Sequence, residues 1–295
     1  MRVAVVGLGG VGGYLGASLA KTSHEVVGFA RGEHLKSIQV NGIEIVEDDT
    51  TWSQRLNATT LNAVEGYFDI VLFCVKSYDL VSSFEAIKNS CNSKTIMLSF
   101  SNGVSNGDTL REVSDSTVLD GCMYILSHIE KAGTIRKKGK VFAAVFGGET
   151  HATEIMKNIF DEAKLRNKTP GNIQTAIWKK YIFIAAFATL TSYHKKSIGY
   201  IYEHYFDEAK ALLKEIASVA NSLGVDIKDE IQKALDTAFK VPYDSSTSMA
   251  LDFKNSKRDE LHSLSGYIVK KAEQLNLEVP LMKKMYEELL ELHID

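Results

Sequence analysis

The chain has 295 residues, of which 45% are hydrophobic and 24% charged, with a formal net charge of −3. That much apolar material can build a sizeable core and fill two domains. The slight acidic balance excludes a phosphate-backbone binder, because nucleic-acid contacts need a surplus of Lys and Arg.

In chain order, residues 3–6 form a short β-branched run of buried-strand type. Glycines follow, then an apolar helical pattern through Tyr14, Leu15, Leu19 and Ala20. Residues 24–31 predict a second strand, 70–75 a third, and the stretches 94–103 and 116–124 two more, with helical patterns between most of them. Alternation of this kind implies a parallel sheet with crossover helices. Residues 133–148, "GTIRKKGKVFAAVFGG", predict a hairpin with a basic turn. From about residue 172 the patterns are long and helical, including an amphipathic stretch at 208–224 that ends in a glycine stop signal. A last amphipathic helix spans 280–294; it either caps its own domain or meets a partner, a homodimer being the case considered. The fold class expected is an α/β Rossmann-type dinucleotide-binding domain, 1–167, followed by an all-α C-terminal domain, 168–295.

The longest apolar run, 181–190, is too short to cross a bilayer, and Met1 leads straight into a strand with no signal core. Cys74, Cys91 and Cys122 form no disulfide framework and no zinc pattern, and are read as small apolar side chains. These features predict a cytoplasmic protein. The eight histidines show no metal-ligand spacing, so no metal is expected. His194 is read as a loop histidine.

Gly7, Gly9 and Gly12 spell G-x-G-x-x-G, with Gly10 between them, directly after a strand and at the opening of a helix. The first glycine permits a tight turn, the second lets backbone approach a pyrophosphate, and the third lets helix and strand pack closely. The helix N-terminus then presents N–H groups to the anion. The second strand ends Phe29-Ala30-Arg31, with no carboxylate before Glu33 to hold a ribose 2′-hydroxyl. A guanidinium at this point suits a 2′-phosphate, so NADPH is predicted over NADH. Lys76 and Asn102 each follow a strand, where ligands of such sheets bind.

The segments "GLGGVGGYLG", "CVKSYD", "SNGV", "IWKKYIF", "SSTSMALDFKNSKRDEL" and "SGYIVKKAEQLNLEVPLMKKMYEEL", in this order, resemble the ketopantoate reductase family over nearly the whole chain. The resemblance implies NADPH-dependent reduction of ketopantoate to pantoate, on the way to pantothenate and coenzyme A. It implies that Lys180 is the catalytic lysine and that Lys76 and Asn102 lie beside the nicotinamide end of the cofactor. Asn102 and Ser248 would contact the substrate, and Glu260 would lie near the cofactor ribose. The chemistry fits these types: negative charge grows on the carbonyl oxygen as hydride arrives, and a lysine can supply the proton. Lys180 is expected to open an apolar helix, with Lys179 facing solvent.

The sequence also departs from the family pattern. Ile184 and Ala188 stand four and eight residues after Lys180, where the family carries asparagines. Ser265 stands before Gly266 in place of another, and the nearest residues to a further loop asparagine are His194, Ser197 and Ile198. Losing those polar groups favours a more apolar 2-oxo acid or ketone. Alternative readings are therefore a reductase of such a substrate and a non-catalytic NADP sensor; a pure interaction protein is disfavoured by the intact glycine motif.

Overall fold

The computed structural model describes residues 1–64 and 66–292, so residues 293 and 294 of the expected last helix, and His293, lie outside the described residues. The chain divides into two compact units, one of residues 1–101 with 105–173 and the other of residues 102–104 with 174–295.

The first unit contains β1 (Arg2–Val6), α1 (Gly10–Leu19), β2 (Glu25–Phe29), α2 (Gly32–Asn41), β3 (Ile43–Val46), β4 (Thr51–Gln54), β5 (Asn57–Thr59) and β6 (Ile70–Phe73). It continues with α3 (Leu80–Ile87), β7 (Ile96–Ser99), α4 (Asn106–Val113), β8 (Thr117–Lys131), β9 (Thr134–Gly147), α5 (Thr150–Glu162) and β10 (Asn167–Lys168). The strand order is β4-β3-β9-β8-β7-β6-β1-β2-β5, with β10 beside β9. The six strands from β5 to β8 along this path pair in parallel. Counted in chain order, those six run 3-2-1-4-5-6, the doubly wound dinucleotide-binding arrangement.

The central strands are apolar throughout because both faces are covered. Val3 to Val6 and Ile70 to Phe73 are buried, and they divide between two hydrophobic clusters, one on each side of the sheet. Val3, Val5, Ile70 and Leu72 face the cluster that contains Leu15 and Leu19 of α1. Ala4, Val6, Val71 and Phe73 face Leu80 and Phe84 of α3.

The basic stretch expected to be a turn is not one. β9 is continuous and pairs antiparallel with β8, and the reversal between them falls at Ala132-Gly133. Ser127 opposes Lys137 and Ile125 opposes Phe142, so residues 138–141 bulge from the ribbon. Gly139 there has φ +67°, open to glycine without strain. Lys137 pins the bulge: its Nζ donates to the Gly139 carbonyl at 2.9 Å and pairs with Glu47 at 3.1 Å. β3 and β4, a short antiparallel pair, add an edge that the strand reading did not include.

Residues 167–168 pair with Ala144 and Val145 of β9, which keeps this stretch with the sheet and carries the first unit to residue 173, beyond the expected boundary.

The helical unit contains α6 (Ile173–His194), α7 (Ile198–His204), α8 (Phe206–Ser222), α9 (Glu230–Lys240), α10 (Ser248–Lys254), α11 (Tyr267–Gln274) and α12 (Pro280–Glu291). α8 stops where Gly224 takes φ +80°, the left-handed residue that ends many helices. α12 starts with Pro280 in its first turn, and the Glu215 carboxylate of α8 accepts from the Leu281 and Met282 amides at 2.9 and 2.8 Å. A single π turn, His262–Gly266, precedes α11.

Candidate active site

Four parallel strands end in register. Phe29, Val6, Phe73 and Ser99 are successive cross-strand partners, so the residues that follow them line one edge about 15 Å across. The chain connects in opposite directions on either side of the gap between β1 and β6, which is where open α/β sheets bind ligands.

Gly7 stands just past β1 with φ +93°, and a Cβ on it would meet Val75 Cγ1 at 2.8 Å. Both facts require glycine. Gly12 packs against the Gly7 carbonyl and the Cys74 side chain, which sets the distance between α1 and the strands. Gly10 is held to glycine by the Ser127 backbone of β8. At Gly9, by contrast, a Cβ would meet nothing within 4 Å. The space over Gly9 and the N-terminus of α1 therefore suits an incoming pyrophosphate.

Arg31 caps α2 with its side chain 93% exposed, and its Nη2 lies 4.0 Å from Asp79 Oδ2. So long and exposed an ion pair contributes little and leaves the guanidinium available to an anion. Lys76 is half-buried and begins the short turn Ser77–Asp79 after β6. A hydroxyl chain ties its loop to the loop after β7. Ser101 donates to the Val75 carbonyl at 2.6 Å, so Ser99 must donate to Ser101 at 3.1 Å. Asn106 Nδ2 donates to the Ser101 carbonyl at 3.0 Å.

Asn102 belongs with the helical unit, and there Lys180 Nζ donates to its Oδ1 at 3.1 Å. This is the bond that brings two of the residues singled out in the sequence together. Lys180 lies two turns inside α6 rather than at its start, because Ile177 and Trp178 already bury against the unit's core. It is half-buried, whereas Lys179 is exposed and 3.5 Å from Glu230. The next turn along the Lys180 side of α6 carries Phe183 and Ile184, both half-buried, and Ala188 beyond them is buried. No hydroxyl or amide stands at these positions.

Ser248 is exposed at the first position of α10. Its placement depends on Thr247, whose Oγ1 accepts from the Ala250 amide at 3.2 Å. Thr191 of α6 donates to the Phe187 carbonyl at 2.6 Å, so Thr247 must donate to Thr191 across their 2.8 Å contact. A second such pair joins α6 to the π turn: Thr189 donates to the Ala185 carbonyl, and Ser265 donates to Thr189 at 2.7 Å. Ser265 is fully buried and spends its hydroxyl on this bond. Tyr181 Oη donates to the Leu264 carbonyl at 2.5 Å, and burial raises that phenol well above its ordinary range. Glu260, 2% exposed, precedes the π turn.

His194 lies in the last turn of α6, not in a loop. It is bound to Glu208 at 2.5 Å and stacked on Tyr205, a structural role. Burial pushes the Cys74 thiol up to about 12 and the Cys91 thiol to about 11, and all three cysteines are free. Among the described residues no group of His, Cys, Asp or Glu could hold a metal, and no helix is long and apolar enough to cross a membrane.

The sequence reading missed His34. Its Nε2 lies 2.8 Å from the Leu8 carbonyl, inside the glycine motif, and its Nδ1 accepts from the Gly133 amide at 3.0 Å.

Two family models match in tandem: "Ketopantoate reductase PanE/ApbA" over residues 3–148 and its C-terminal counterpart over residues 172–293. The chain belongs to the ketopantoate reductase family. It is therefore an oxidoreductase acting on a C=O/CH–OH group. An uncharacterized oxidoreductase of Bacillus subtilis, YkpB, is 29% identical over 98% of both chains. A ketopantoate reductase structure from Ralstonia eutropha is 29% identical with TM-score 0.92, covering 100% of this chain and 99% of that one. The 2-dehydropantoate 2-reductase structure from Porphyromonas gingivalis is 30% identical with TM-score 0.85, covering 98% and 99%.

Proposed function

We propose that this ketopantoate reductase family member reduces ketopantoate to pantoate with NADPH. The observation that carries the reading is the Lys180 ammonium held at 3.1 Å by the Asn102 amide oxygen on a half-buried helix position. An ammonium fixed in this way can attract the carbonyl oxygen of a 2-oxo acid and donate a proton to it. Bound NADPH supplies the hydride. Arg31 contacts its 2′-phosphate, Gly7, Gly9 and the start of α1 its pyrophosphate, and Lys76 and Asn102 the nicotinamide end. Ser248 binds the substrate carboxylate or hydroxyl, and Glu260 contacts the cofactor ribose.

The test is NADPH oxidation by the purified protein with ketopantoate and a panel of other 2-oxo acids. Ketopantoate turnover that falls about 10²–10⁴-fold in Lys180→Ala, with NADPH binding retained, is the expected result. A second reading, favoured by Ile184 and Ala188 beside Lys180, is reduction of a 2-oxo acid with an apolar side chain; it predicts that such acids head the panel. NADPH binding without turnover of any acid would instead point to a sensor.

A further inference from the structure

We propose that His34 is a positioning residue for the cofactor, acting through the Leu8–Gly9 peptide. The proposal rests on the dinucleotide reading of the glycine motif. It starts from two hydrogen bonds that leave one tautomer. The Gly133 N–H donates to Nδ1 at 3.0 Å, so Nδ1 carries no proton and the imidazole's proton is on Nε2. Nε2–H therefore donates to the Leu8 carbonyl at 2.8 Å. Leu8 C=O and Gly9 N–H belong to one planar trans peptide, and in such a unit they point in opposite directions. By holding the carbonyl, His34 turns the Gly9 N–H the other way. Among the described residues that N–H has no protein acceptor. Gly9 is also the position where a Cβ would meet no atom within 4 Å, so its backbone borders open space.

A peptide of glycine-rich loop is free to flip, and a flipped Leu8–Gly9 unit would present a carbonyl to the pyrophosphate instead of a donor. His34 prevents that flip. Its other nitrogen is fixed by the reversal between β8 and β9, so the clamp is braced on the sheet and does not swing with α2 alone.

The pyrophosphate is common to NADPH and NADH, which separates this role from that of Arg31. We would measure the dissociation constants of both nucleotides by fluorescence titration for the parent chain, His34→Leu and His34→Gln, with thermal melting alongside. His34→Leu should weaken NADPH and NADH by the same factor, about 5–10-fold, the loss expected for one well-placed donor. His34→Gln carries an amide NH2 donor and a carbonyl acceptor and should recover most of that loss. Unchanged affinity in a folded His34→Leu would overturn the proposal, as would a loss confined to NADPH. Should His34→Leu not fold, His34→Ala, which leaves room for water, takes its place under the same criteria. A parent chain that binds neither nucleotide would overturn the dinucleotide reading itself, and this proposal with it.

Discussion

Arg31 carries a test that involves one side chain and one phosphate. Its guanidinium is 93% exposed and reaches Asp79 only at 4.0 Å, so little protein structure depends on it. Arg31→Ala should raise the dissociation constant for NADPH about 10–100-fold, since a charge-assisted bidentate contact to phosphate is lost, and leave NADH and the melting temperature unchanged. Equal losses for both nucleotides would show that Arg31 does not read the 2′-phosphate. The place of Arg31 just after β2 was legible in the sequence because a local pattern fixes it: a strand, a missing carboxylate, a basic residue. His34 was not. Its partners, Leu8 and Gly133, lie 26 and 99 residues away, and no spacing announces a bond closed by tertiary folding. Ser265 stands between these cases. Its presence before Gly266 was visible, but only the fold shows its hydroxyl consumed by Thr189 rather than offered to a ligand.

At the scale of elements, α6 carries a test of the substrate. Lys180 is followed on its own side by Phe183 and Ile184, and neither can bond a hydroxyl. Ketopantoate and its deoxy isostere, trimethylpyruvate, differ by that one hydroxyl. A site that bonds the hydroxyl rejects the isostere strongly, whereas an apolar wall discriminates weakly. Ile184→Asn should therefore raise the ratio of kcat/KM for ketopantoate over trimethylpyruvate by about 10-fold. A ratio that stays put would show that residue 184 does not meet the substrate side chain. The helical pattern from about residue 172 matches the start of α6, but Lys180 was read as opening the helix because Gln174, Thr175 and the two lysines mask the apolar positions Ile173, Ile177 and Trp178. The basic bulge of β9 was misread for a different reason. A glycine among lysines is ordinary turn chemistry, and the bulge is held instead by long-range contacts, Lys137 with Glu47 and the Gly139 amide donating to Asp48, that no local pattern shows. The glycine loop and the central strands were legible because their pattern and their tertiary setting agree.

For the molecule as a whole, the buried acids on the alkaline side set a stability limit. Burial raises the Cys74 thiol from 9.0 to about 12 and Cys91 to about 11, and burial with the nearby Glu47 carboxylate raises the Tyr14 phenol to about 12. In the unfolded chain these groups ionise at ordinary values, while in the folded chain they stay protonated. Raised folded values contribute stability that is complete below the unfolded pKa and is lost as pH climbs toward the folded one. The stability of the protein, kept under reductant, should thus be level from pH 7 to 8.5 and fall above pH 9. Between pH 9 and 10 the thiols of the unfolded chain ionise ahead of its tyrosines, which reach half-ionisation only at about pH 10, so the thiols lead the loss where that window opens. At pH 10 Cys74 accounts for a loss on the order of 1 kcal/mol. Cys74→Ala removes that ionisable group while sparing the close packing of Gly7 and Gly12, and its urea midpoint should decline less steeply than the parent's across the same window. Parallel slopes for the two proteins would mean that the Cys74 thiol is open to solvent in the folded chain, and that the contact between α1 and the β6 loop is looser than the glycine packing requires.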